Sequence, residues 1–81
     1  MKQIYFKIFE LPEHQVLVEK TYDDKDEELN VIKITFHFDG IRITEILGYS
    51  DVENRDRMFD TITPEQLQTS VNRVGEMLNK N

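Results

Sequence analysis

Cysteine is absent from this 81-residue chain. That excludes disulfide scaffolds, thiolate metal centres and thiol catalysis. Secreted domains of this size usually depend on disulfides, so the absence points to a reducing, cytoplasmic setting. Glycine is scarce, and Gly40, Gly48 and Gly75 stand apart from one another. No phosphate-cradling glycine loop and no Gly-x-Ser-x-Gly elbow can be drawn through them. Ser50 and Ser70 have no base at readable spacing and look like helix residues or caps. The two histidines, His14 and His37, lack a second ligand at metal-binding spacing. Neither a metal nor another cofactor is expected.

Long hydrophobic runs are missing too. Lys2 and Lys7 interrupt the first apolar segment, so neither a signal-peptide core nor a membrane span is expected. Basic residues are the minority, with 10 Lys and Arg against 16 Asp and Glu, giving a net charge of −6. Such a surface does not neutralise phosphates, so no nucleic acid is expected as a partner, and no anionic membrane.

What is present suffices for one small core. Hydrophobic residues make up 38% of the chain, which argues against wholesale disorder. The length allows one domain, residues 1–81, burying roughly 60% of its unfolded surface. Period-two alternation marks four strands, at about residues 2–10, 15–22, 29–38 and 41–49. In the first, Ile4, Phe6 and Ile8 take one face, which is read as the core face, while Tyr5, Lys7 and Phe9 take the other. Leu11-Pro12-Glu13-His14 forms a turn after it. The run Asp23-Asp24-Lys25-Asp26-Glu27-Glu28 reads as a solvated loop, and it lacks the glycine and distant glutamate of a calcium loop.

Asp39-Gly40, between alternating apolar runs, is the signature of a two-residue type I′ hairpin. Such a turn fixes register. Phe38 then faces Ile41, Phe36 faces Ile43, Ile34 faces Glu45, Ile32 faces Leu47 and Asn30 faces Tyr49. On the other face His37 meets Arg42, Thr35 meets Thr44, Lys33 meets Ile46 and Val31 meets Gly48.

Two helices follow. Thr63-Pro64-Glu65-Gln66 is a capping box with proline in the first turn, and Ile62 and Leu67 stand at the staple positions. Leu67, Val71, Val74 and Leu78 form one stripe over residues 64–78, with Gly75 inside the helix. Ser50-Asp51-Val52-Glu53 reads as a second capping box, starting a short helix over about residues 51–59. Asp51–Arg55 and Glu53–Arg57 have the spacing of favourable pairs along it. The competing reading is a loop, with residues 57–61 as an edge strand.

The expected fold is therefore α+β: a four-stranded antiparallel meander sheet, then one short and one longer C-terminal helix packed on one face. The sheet is about 20 Å wide and one helix about 10 Å, so the long helix covers only about half of the core face. The short helix, with Val52, Met58 and Phe59, or a second copy of the chain, must cover the rest.

By alternation the opposite face carries Tyr5, Phe9, Leu17, Val31 and Ile46 among charged and polar residues. These are the candidate interaction residues. Glu45 is the polar misfit on the core face. A bulge can turn it outward, a basic partner can hold it, or desolvation can raise its pKa toward acid–base work. The leading expectation is a non-catalytic protein-interaction or regulatory module. The alternatives are a homodimeric accessory protein with a ligand cleft between subunits, then an acidic mimic of nucleic acid. An enzyme built on Glu45 ranks last.

Overall fold

The computed structural model describes residues 5–22 and 30–78. Four antiparallel strands, β1 (Tyr5–Glu10), β2 (Gln15–Tyr22), β3 (Asn30–Phe38) and β4 (Ile41–Tyr49), lie side by side in chain order. Helices α1 (Val52–Thr61) and α2 (Pro64–Leu78) follow and pack on one face of that sheet. The fold is the α+β meander with two C-terminal helices. Ile4, Leu29 and the acidic run Asp23 to Glu28 lie outside the described residues.

The Asp39-Gly40 turn fixes the β3–β4 hairpin. Both residues have positive φ, 52° and 80°, as a type I′ turn demands. The register that follows from it is observed at every position, from Phe38 opposite Ile41 to Asn30 opposite Tyr49. No bulge interrupts that ladder, and Glu45 lies directly opposite Ile34.

The first hairpin corrects the sequence reading. Residues 11–14 connect Glu10 to Gln15, and Leu11 N donates to the His14 carbonyl at 2.7 Å. This closure sets Phe9 opposite Val16 and Lys7 opposite Val18. Val16 and Val18 are fully buried beneath the helices. Tyr5, Lys7 and Phe9 therefore lie on the helix-covered face, and Phe6 and Ile8 on the open one. Alternation alone leaves the phase of β1 undetermined, because both of its faces carry large apolar side chains.

The core joins Val16, Val18, Ile32, Ile34 and Phe36 of the sheet to Phe59 of α1, Leu67 and Val71 of α2, and Ile62 between the helices. Burying one such side chain contributes about 1.5–3 kcal/mol before conformational entropy is subtracted. The short helix adds to the cover: Phe59 is buried and Met58 packs against the core, whereas Val52 is exposed. It runs on to Thr61, which excludes an edge strand over residues 57–61.

The helix starts follow local chemistry. At α2 the box is reciprocal: Thr63 N donates to Gln66 Oε1 at 2.9 Å, and Gln66 N donates to Thr63 Oγ1 at 3.3 Å. At α1 the cap sits one residue later than the serine-led box. Asp51 is the N-cap, accepting from Asn54 N at 2.8 Å and from Asn54 Nδ2 at 2.9 Å. The apolar stripe of α2 ends early, since Leu78 is exposed. In its place the Phe38 ring lies against Gly75, where a Cβ would stand 3.1 Å from the ring carbons. Glycine at this position lets the ring rest on the helix.

Candidate functional site

With both helices on one side, the other side of the sheet has no cover among the described residues. The strand registers arrange it in rows. The first row runs Phe6, Glu19, Lys33, Ile46 from β1 to β4. The second runs Ile8, Leu17, Thr35, Thr44. Beyond it, Glu10 pairs with Gln15, and His37 with Arg42. Phe6 is 62% exposed, Ile46 55% and Ile8 54%, while Leu17 is half-buried. Thr35 Oγ1 and Thr44 Oγ1 lie 3.2 Å apart. A shallow depression of about 340 Å³ runs between Leu17, Thr35, Thr44 and Ile46.

The charge on this face is divided. Its acids, Glu10 and Glu19, stand on β1 and β2, and its bases, Lys33 and Arg42, stand on β3 and β4. The exposed apolar side chains of this face therefore stand among charges of both signs.

The sequence-derived residues divide accordingly. Leu17 and Ile46 stand on the open face. Tyr5 and Phe9 do not: Tyr5 is exposed at the end of β1 on the helix side, and Phe9 packs against the core. Val31 belongs to the open face by alternation yet is fully buried, which removes it from any docking surface. Phe6 and Ile8 were missed. The missing step is arithmetic: extending the pairing outward from the 11–14 turn puts Ile8 beside Leu17.

Glu45 takes the ion-paired option. It stays on the helix face and accepts a 2.7 Å hydrogen bond from Arg73 Nη2, tying β4 to α2. The pair is open to water, with side chains 29% and 58% exposed. The carboxylate is therefore held by a basic partner and stays in contact with water.

A second polar cluster lies where α1 crosses β1 and β2. Lys7 Nζ donates to the Phe59 carbonyl at 2.8 Å and sits 4.7 Å from the centre of the Phe59 ring. Lys20 Nζ approaches the same ring at 5.0 Å and donates to Asp56 Oδ1 at 3.3 Å. Buried Arg55 donates to the Thr21 carbonyl at 2.9 Å and, through Nε and Nη2, to Asp56 Oδ1 at 3.2 and 3.1 Å. Burial pushes the Asp56 carboxyl up, but the hydrogen bonds and charges of Lys20 and Arg55 outweigh it and hold the group below its ordinary pKa. Arg55 thus turns inward instead of pairing with Asp51, and Arg57 donates to Asn54 Oδ1 rather than meeting Glu53. Every donor in this cluster has a structural acceptor, so its role is to fasten α1 to the sheet.

An open groove of about 850 Å³ separates the C-terminal half of α2 from the β1–β2 turn. There His14 stacks on Phe38, with ring centres 5.5 Å apart, and meets Phe36 edge-on at 6.1 Å. Both contacts account for His14 as a packing residue at the core's rim. His37 is exposed opposite Arg42. Among the described residues no group of three acidic or histidine side chains could hold a metal ion, and no helix is long and apolar enough to cross a membrane. No family model, curated protein or solved structure matches the chain.

Proposed function

We propose that this domain is a non-catalytic protein-interaction module, and that its docking surface is the open face of the sheet centred on Ile8, Leu17 and Ile46. One observation carries the reading. Both helices lie on the same side, and the opposite side presents Phe6, Ile8 and Ile46 more than half exposed. At that exposure each side chain forfeits roughly half of the about 1.5–3 kcal/mol that full burial gives, and a partner that covers them recovers part of it. The lack of cysteine suits work in a reducing compartment such as the cytoplasm.

The test is a pair of substitutions, Ile8→Lys with Ile46→Lys, in the tagged chain expressed in its native cells. Because both side chains are exposed, the helical circular dichroism and the unfolding midpoint should stay near those of the unaltered chain. Proteins retained by the tagged chain, further copies of itself included, should be lost. Glu65→Lys on the outer surface of α2 should retain them. Equal retention by the doubly substituted chain would reject this surface.

A further inference from the structure

Resting on that reading, we infer that the occupant of the open face is a second copy of this chain, related by a two-fold axis that runs parallel to the strands just above the open face, midway between β2 and β3. The argument comes from the rows. A two-fold in that direction lays β1 over the partner's β4 and β2 over the partner's β3 while keeping each row in step. Sheets packed face to face keep their strands within about 30° of each other, which the same axis allows.

Each row is then complementary to its own reverse. In the first row, Phe6, Glu19, Lys33, Ile46 becomes apolar on apolar at both ends and acid on base in the middle. In the second, Ile8 and Leu17 settle over the two threonines of β3 and β4. At the far margin Glu10 meets the second copy's arginine at position 42. Each ion pair forms twice, as symmetry requires of a self-complementary patch. A two-fold at right angles to the strands lays β1 over β1 and β2 over β2, so the acid-bearing strands face each other and the base-bearing strands face each other. The charge division therefore selects one orientation and penalises the other.

The size fits a reversible dimer. The face spans roughly 19 Å across four strands and about 20 Å along six residues, so two copies together bury somewhat under about 1,000 Å². That is near the lower limit for specific association, where dissociation in the micromolar range is the expectation.

The experiment uses two charge variants of the full chain. Glu10→Lys with Glu19→Lys makes every charged position of the interface basic, and Lys33→Glu with Arg42→Glu makes every one acidic. Light scattering of the unaltered chain, from about 1 μM to 1 mM, should show the mass rising from monomer to dimer. Each variant alone should stay monomeric at every concentration, with its circular dichroism unchanged. An equimolar mixture should recover the dimer mass, because each acid again faces a base across the interface. Recovery on mixing cannot come from repaired folding, since neither chain has changed. Should a double variant fail to fold, Glu10→Lys and Arg42→Glu, at opposite edges of the sheet, are mixed instead. An unaltered chain that stays monomeric throughout overturns the second copy, while the partner test with Ile8→Lys and Ile46→Lys still decides the docking surface. A dimer that forms while the mixture stays monomeric overturns this face and this axis.

Discussion

At the scale of single residues, the contacts of Asp56 have a pH signature. Its Oδ1 accepts from Lys20 and from Arg55, and those cations hold its carboxyl below the ordinary value although burial opposes them. A carboxyl with a lowered folded-state pKa stabilises the fold fully above its unfolded pKa. The contribution is lost as pH falls through the lowered value. Asp56→Asn keeps the shape and removes the charge. It is expected to lower stability to urea near pH 7, with the gap from the unaltered chain closing below about pH 4. A gap of the same size at about pH 3 would assign the residue's contribution to packing. None of this cluster is legible before the register is known: Lys7 and Lys20 look like ordinary strand lysines until Lys7 is set opposite Val18 and Tyr5 opposite Lys20. Glu45 was visible as a misfit because the Asp39-Gly40 register sets it opposite Ile34 on the core face, but its partner Arg73 stands 28 residues away and shows only in the fold.

At the scale of elements, legibility follows how many alternatives the local chemistry leaves. Asp39-Gly40 admits one turn type, and one turn type admits one register, so nine pairs of β3 and β4 were readable. β1 has apolar residues on both faces, and only its closure onto β2 chooses between them. The start of α1 is ambiguous for a similar reason. Ser50 is followed three residues later by Glu53, and Asp51 by Asn54, so two caps compete. Asp51 prevails with two hydrogen bonds to Asn54, and the helix it starts turns Arg55 and Phe59 inward. Thermal unfolding separates the candidates. Asp51→Ala should cost about 1 kcal/mol, and Ser50→Ala less than about 0.5 kcal/mol. A larger loss from the serine change would move the cap back by one residue.

At the scale of the whole molecule, the sequence posed a covering problem and the fold solves half of it. Counting widths shows that one helix is too narrow for a four-stranded sheet, and α1 adds to the cover through Phe59 and Met58. The buried core thus forms within one chain, and the open face is a separate surface. That separation has a thermodynamic consequence. If association is added to a monomer that already folds, the unfolding midpoint of the unaltered chain should rise with protein concentration, because only the folded form dimerises. The chain carrying Ile8→Lys and Ile46→Lys should unfold at a midpoint independent of concentration. It should match the unaltered chain at high dilution, where both are monomers. Differential scanning calorimetry over a hundredfold range of concentration tests both parts. A doubly substituted chain that melts far below that dilute limit would mean that Ile8 and Ile46 support the monomer fold itself. Coincidence at high dilution, with divergence at high concentration, would assign their contribution to contact between chains.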